Sequence, residues 1–112
     1  MDDLSLKLVR SMSGRNVLAF GTMGSFPDSS YGCQVRANVS ALIGGRNRFL
    51  GLFLCRGRID ERRTEKRRAL PADHPHYLGD EAYERHISSR SHPDEEDLRS
   101  AAAFLTKALT LY

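Results

Sequence analysis

The stretch Phe20–Gly32, which reads FGTMGSFPDSSYG, decides the predicted fold of this chain. It continues the short apolar run Val17–Phe20 and precedes an amphipathic stretch that extends from Cys33 to Ile43. A buried strand that runs through a glycine-containing loop into a helix is half of a βαβ unit. In open α/β sheets, loops of this kind form the crevice where ligands bind. The loop glycines allow close approach of the backbone to a ligand, and its two aromatic rings suit a planar, polar ligand.

The second half of this unit is the apolar run Phe49–Cys55, which predicts another buried strand. The residues between the strands have the spacing of a helix, with Ser29 or Ser30 positioned to cap it and Gly44 and Gly45 placed to end it. Its apolar stripe consists of Val35, Val39, Leu42 and Ile43. Two strands joined by a helical crossover of this length require a parallel pair with a right-handed connection.

Further helices are predicted on both sides of the unit. Asp2–Met12 is amphipathic and has acidic residues at the end where the helix dipole is positive, and Gly14 is placed to close it. Beyond the second strand the chain becomes polar, and Glu61–Ala69 and Asp80–Ser88 are predicted as short charged helices.

The last helix is predicted to use Ser91 as its N-cap, with Pro93 in the first turn. Its predicted apolar face consists of Leu98, Ala101, Ala102, Leu105, Ala108 and Leu109. The fold class is therefore α/β, with a parallel sheet and flanking helices. Residues 1–112 are predicted to form one domain, of which residues 61–112 are a helical tail.

Composition and charge bear on whether the chain is a membrane, secreted or nucleic-acid-binding protein. With 40% hydrophobic and 28% charged residues, the 112-residue chain has the composition of an ordinary globular domain. It has no apolar run long enough to span a membrane and no signal peptide, since Asp2 and Asp3 stand where positive charge is expected. Two cysteines fit reduced thiols, which favours a cytoplasmic location. The net charge of +3 does not by itself indicate a nucleic-acid partner.

Three motifs in order carry a resemblance to a known family. They are the loop GTMGSFPDSSYG within Phe20–Gly32, FLCRGRID at Phe53–Asp60 and HPDEEDL at His92–Leu98. The chain resembles the flavodoxin-like proteins, which bind FMN and transfer electrons. By this resemblance the chain is N-terminally truncated and begins at the helix before the fourth strand of that fold. It lacks a turn resembling S/T-x-T-G-N-T, which holds the FMN phosphate in flavodoxins.

The resemblance also implies a set of cofactor-binding residues. Tyr31 would stack on the flavin ring, and the backbone from Thr22 to Gly24 would meet the ring edge. Asp28 would mainly organise the turn. Cys55 and Gly57 follow the second strand and would line the pocket from the neighbouring loop. The full set is Gly21, Thr22, Met23, Gly24, Phe26, Asp28, Tyr31, Gly32, Cys55 and Gly57.

The same residues also have simpler, purely structural interpretations. The loop Phe20–Gly32 could be an ordinary turn from strand to helix, and Cys55 could be a small buried hydrophobic residue. A redox pair of Cys33 with Cys55 is not supported, because neither lies in a C-x-x-C motif. The histidines fit no zinc-binding spacing. They are His74, His76, His86 and His92.

The segment Arg56–Arg68 is rich in arginine and lysine. Such a run is usually a solvated helix face, although it could dock an acidic redox partner or bind RNA without sequence preference. No aromatic residue interrupts it, so base stacking and a nucleic-acid partner are not indicated. No catalytic triad can be placed either. The sequence therefore leaves open whether the chain is an enzyme, and assigns any redox chemistry to FMN.

Two functions from different classes remain open. The first is FMN-dependent electron transfer to a redox partner protein or a small electron acceptor. The second is a non-catalytic interaction module, or a truncated paralogue that has lost flavin binding. Two strands alone do not make a stable sheet. The remaining strands would come from a separate N-terminal chain, or the chain would form a homo-oligomer, or the sequence is a fragment.

Overall fold

Two strands and five α-helices make up residues 1–111, the part of the chain that the computed structural model describes. The strands are β1 (Asn16–Met23) and β2 (Arg48–Arg56). The helices are α1 (Asp3–Ser11), α2 (Ser30–Gly44), α3 (Glu61–Arg68), α4 (Asp80–Ser88) and α5 (Glu95–Leu111). A short 3-10 turn, Ser89–Ser91, follows α4. No helix in this range is both long and apolar enough to cross a membrane.

The two strands pair in parallel, which confirms the predicted α/β class. Their register runs from Asn16 opposite Arg48 to Met23 opposite Arg56, with one irregularity between Val17 and Leu18. The sequence prediction ended the first strand at Phe20, which was wrong by three residues. Gly21, Thr22 and Met23 belong to β1 because the longer apolar strand β2 provides hydrogen-bonding partners for them. The loop itself begins at Gly24.

Helices α2 and α5 both pack against β2. On the α5 face, the Phe104 ring lies 5.7 Å from that of Phe20 and 5.9 Å from that of Phe53, centroid to centroid. Gly51 sits below this cluster with a φ of +150°, and a Cβ there would lie 2.9 Å from the Phe104 ring. A side chain at Gly51 would therefore be strained by its backbone and would collide with α5.

The start of α5 differs from the prediction. Ser91 is the last residue of the 3-10 turn and Pro93 lies outside the helix, so neither has its predicted role. Asp94 and Asp97 instead form a reciprocal pair of hydrogen bonds. The Asp97 amide donates to the Asp94 carboxylate at 2.8 Å, and the Asp94 amide donates to the Asp97 carboxylate at 2.9 Å. This arrangement satisfies two amides at the start of the helix, as a capping box does.

The apolar face predicted for α5 is also only partly correct. Ala108 is buried, but Leu98 and Leu109 are 64% and 68% exposed, and Phe104 makes the contact with the sheet. The buried apolar side chains of the described residues are few. They are Met23, Ile43, Leu54, Leu78 and Ala108.

Candidate functional site

The loops that follow β1 and β2 lie side by side at the carboxyl edge of the sheet. The Gly57 amide donates a hydrogen bond of 2.8 Å to the Met23 carbonyl, which joins the two strand ends. Between the loops is a cavity of about 250 Å³. Its lining includes Thr22, Met23, Gly24, Gly57, Ile59 and Arg63.

A second cavity of about 300 Å³ adjoins the first and shares Gly24, Ile59 and Arg63 with it. Tyr31, at the start of α2, lines this cavity and is 57% exposed. Its position follows from the cap of α2, where the Ser29 hydroxyl accepts a hydrogen bond from the Gly32 amide at 3.1 Å. An aromatic ring that is held at a helix start yet exposed can contact a ligand.

The loop glycines make close contacts inside the protein. A Cβ at Gly24 would lie 3.0 Å from Ile59, and a Cβ at Gly57 would lie 2.7 Å from the Cβ of Thr22. A Cβ at Gly32 would overlap the carbonyl oxygen of Pro27. These close approaches explain the glycines without a ligand, because each removes a collision between neighbouring segments.

Phe26, predicted to contact a cofactor, lies against a cation within the protein. The guanidinium carbon of Arg56 lies 4.3 Å from the centre of the Phe26 ring. Arg56 also donates to the Arg85 carbonyl at 3.0 Å and to the Ser88 hydroxyl at 2.8 Å, which joins the end of β2 to α4. Phe26 is thus held against the protein, although 46% of its surface is exposed.

The turn that contains Asp28 is closed by its neighbour. Ser29 donates to the Phe26 carbonyl through both its amide, at 3.0 Å, and its hydroxyl, at 2.6 Å. Asp28 itself is exposed. The turn is therefore closed by Ser29, whereas the sequence interpretation assigned its organisation to the Asp28 carboxylate.

Cys55 lies in a different place from Gly57. It is a residue of β2 and lines an apolar groove of about 430 Å³ beneath the start of α5, together with Gly21 and Phe53. Burial, and then the carboxylates Asp97 and Asp94, raise the pKa of the Cys55 thiol. Successive side chains of a strand point to opposite faces, so the Cys55 side chain lies on the opposite face of β2 from Leu54, the residue that pairs with Gly21. Residues of the predicted set therefore line three cavities: Tyr31 the one beside α3 and α4, Met23 and Gly57 the one between the loops, and Cys55 the groove under α5.

The sequence interpretation missed the basic side chains of the Tyr31 cavity. Arg63 and Arg67 come from α3, and Arg85 and His86 come from α4. His86 is buried, and its Nδ1 lies 2.8 Å from the Thr64 hydroxyl of α3. Burial, followed by the charges of Arg85, Arg67 and Arg63, lowers the pKa of His86. The four-residue spacing of the two α3 arginines was the available signal, but sequence alone did not bring α4 beside them.

One group of potential metal ligands was also not foreseen. His92, Asp94 and Asp97 place one ligand atom each within 4.8 Å of one another. The hydrogen-bonding groups of these residues are already paired without a metal. His92 Nδ1 lies 2.7 Å from Asp97, and the two aspartates cap α5. The hydrogen bond from His92 and that from the Asp94 amide lower the pKa of Asp97.

The chemistry of these side chains can be compared with that of FMN. The exposed ring of Tyr31 suits the planar, aromatic part of such a molecule. The guanidinium groups of Arg63, Arg67 and Arg85 suit its phosphate, because arginine binds phosphate through paired hydrogen bonds. The two features line one cavity. The residues around Tyr31 therefore fit a phosphorylated aromatic ligand, whereas those around Cys55 form an apolar groove.

Two comparisons with known proteins agree with the resemblance that the three motifs indicated. The family model described as flavodoxin domain matches residues 1–106. The chain is also 30% identical over 106 residues to the flavodoxin-like domain-containing protein BilS of Clostridioides difficile (strain CD3). The alignment covers 92% of this chain and 59% of that relative, so the chain spans less than two thirds of its length. On the strength of the family match, the parallel βαβ unit and the three motifs, this chain belongs to the flavodoxin domain family.

Proposed function

We propose that this protein binds FMN at the carboxyl edge of its sheet and acts in electron transfer. The observation that carries the proposal is the position of Tyr31. In a chain of the flavodoxin domain family, this exposed ring lines a cavity beside the strand-end loops. A bound flavin supplies one- or two-electron chemistry, and the protein contributes binding, orientation and electrostatics.

Each part of the site has a proposed role. The ring of Tyr31 offers an apolar face for stacking, and Gly24 and Ser25 provide backbone groups in the same cavity. Thr22 and Met23 line the adjoining cavity between the strand ends. The other participant would be a redox partner protein or a small electron acceptor. We also propose a cytoplasmic location, because Cys33 and Cys55 are both free thiols.

A titration with FMN tests this proposal. Stacking of aromatic rings contributes about 0.5–1.5 kcal/mol beyond the burial of area, so Tyr31→Ala should weaken FMN binding by up to roughly tenfold. Tyr31→Phe retains the ring and should bind almost as wild type does. The measurement is quenching of flavin fluorescence by protein, at equal folded fractions of the three proteins. Absence of saturable FMN binding by the folded wild type would refute the proposal.

The second candidate function is a non-catalytic interaction module. One observation favours it: the loop glycines and Phe26 are accounted for by contacts within the protein. In that case Tyr31→Ala would change stability or association without any effect on flavin. A visible absorption spectrum after addition of FMN and removal of the unbound flavin separates the two functions, because only an FMN-binding protein would retain the flavin bands.

A further inference from the structure

The cavity of about 300 Å³ beside Tyr31 concentrates positive charge. Its charged lining consists of Arg63, Arg67 and Arg85, next to the buried ring of His86. Arg67 and Arg85 are themselves partly buried, so they differ from the solvated surface that a basic run usually forms.

The fold brings these arginines together by two means. Arg63 and Arg67 are four residues apart on α3 and therefore share one face of that helix. The buried contact of 2.8 Å between the Thr64 hydroxyl and His86 Nδ1 holds α4 against α3. Arg85, the residue before His86, is thereby placed at the same cavity. The cluster is a product of helix packing and not of the basic run alone.

Among the described residues these three arginines have no carboxylate partner, unlike Arg58 and Arg68. Arg58 pairs with Glu61 at 2.6 Å, and Arg68 pairs with Asp80 at 2.6 Å. Within residues 1–111, no carboxylate oxygen lies within 4.0 Å of a side-chain nitrogen of Arg63, Arg67 or Arg85. The three charges also contribute to the lowered pKa of His86, after the effect of burial. The cavity therefore has a positive potential that the described residues do not neutralise.

We propose that Arg63, Arg67 and Arg85 bind the phosphate group of a small ligand in this cavity. A phosphate carries up to two negative charges and presents several acceptor oxygens, and guanidinium groups match it with paired hydrogen bonds. The phosphate has two possible sources. It is either that of FMN, in which case the inference rests on the proposed function, or that of a separate phosphorylated molecule.

The experiment measures binding of four ligands by isothermal titration calorimetry. Riboflavin has the flavin ring without the phosphate, FMN has both, and inorganic phosphate and ADP have no flavin ring. Wild type is compared with Arg67→Gln and Arg85→Gln. The matched control is Arg62→Gln, a neighbouring arginine of α3 that does not line the cavity. Thermal melts establish that each variant is folded. If Arg67→Gln does not fold, Arg67→Lys keeps the charge but loses the paired hydrogen bonds.

Two results would support the phosphate site. In the first, FMN binds at least tenfold more tightly than riboflavin, and Arg67→Gln and Arg85→Gln remove this difference while Arg62→Gln keeps it. In the second, inorganic phosphate or ADP binds and loses at least tenfold in affinity in the two cavity variants, whether or not flavins bind. The second result supports the site even if the proposed flavin function fails.

Two other results would overturn it. Equal affinity for FMN and riboflavin, with no binding of phosphate or ADP, would refute the phosphate site and leave flavin binding intact. Polyglutamate is titrated as a fifth ligand, and its binding with none of the small phosphates bound would show that the arginines serve an acidic protein partner instead.

Discussion

Phe26 and Tyr31 belong to the same loop region, yet their rings have different surroundings. The Phe26 ring covers the guanidinium of Arg56, whereas Tyr31 lines an open cavity. From the sequence alone, both are aromatic residues near glycines. Which of the two rings contacts Arg56 depends on how the end of β2 packs against α4. Of the two, Tyr31 is the ring that lines the cavity beside the strand-end loops.

At Gly32 we predict that a single methyl group is destabilising. Its Cβ would overlap the Pro27 carbonyl, which is backbone and cannot rotate away. Overpacking of this kind costs about 1–3 kcal/mol, so Gly32→Ala should lower the free energy of unfolding by that amount. Gly44→Ala is the control, because nothing lies within 4 Å of its Cβ. Urea unfolding checks this, and equal stability of the two variants would contradict it.

At His86 we predict a pH dependence of stability. Its pKa in the folded protein is lowered from 6.5, so the unfolded chain takes up this proton first as the pH falls. The contribution of His86 to stability is therefore complete above pH 6.5 and decreases below it. The slope for one proton is at most about 1.4 kcal/mol per pH unit.

The measurement for His86 is urea unfolding at several pH values between 7.5 and 5. His86→Gln should flatten the fall in unfolding free energy, whereas His74→Gln, at an exposed position, should leave it as in wild type. An identical slope in wild type and His86→Gln would show that other groups cause the pH dependence.

At the scale of the element, α5 shows how a helix is positioned by its first turn and by one aromatic residue. Asp94 and Asp97 fix where the helix begins, and Phe104 fixes which side faces the sheet. The pattern of leucines predicted a different contact face. It could not show that Gly51, which has no side chain, leaves room on β2 for the Phe104 ring. Local pattern thus found the helix but not its orientation.

We predict that Asp94→Ala destabilises α5. Loss of an N-cap side chain costs about 0.5–2 kcal/mol, and Asp94 accepts from the Asp97 amide at 2.8 Å. The control is Glu96→Ala, which removes another acidic side chain from the same turn. Unfolding free energies from urea titration should fall for Asp94→Ala by clearly more than for Glu96→Ala. A similar loss in both would point to the helix dipole and not to the cap.

On the scale of the whole molecule, the chain is more extended than a typical domain. Its radius of gyration is 16.5 Å, whereas a compact domain of this size has roughly 13 Å. Phe20 on β1 is 50% exposed, and Leu98 and Leu109 on α5 are more exposed still. These exposed side chains form apolar surface that no described element covers, which favours association.

We therefore predict that the isolated chain either self-associates or has a low free energy of unfolding. Sedimentation at several protein concentrations should give a mass above the 12.6 kDa of one chain, and Leu98→Gln should shift the protein toward the monomer. Leu4→Gln changes a leucine on α1 that is still more exposed, at 79%, and should have a smaller effect. A compact monomer that unfolds cooperatively and with high stability would rule this prediction out.

The order and type of the helices and strands could be predicted from the amino-acid pattern alone. The two apolar runs, the helical spacing between them and the crossover length require a parallel βαβ unit, and the structure has it. Helix boundaries followed closely where a cap is local, as for α2, whose cap is Ser29. The three motifs were sufficient to indicate the family, since they span most of the chain.

Which residues share a cavity depended on tertiary packing. The strand continued through Gly21–Met23 because β2 paired with it, and the Cys55 side chain lies in the groove under α5. The arginines of α3 met Arg85 of α4 through a buried contact between residues 22 positions apart in the sequence, Thr64 and His86. Such convergence depends on how helices pack on one another, and no local pattern of residues contains that information.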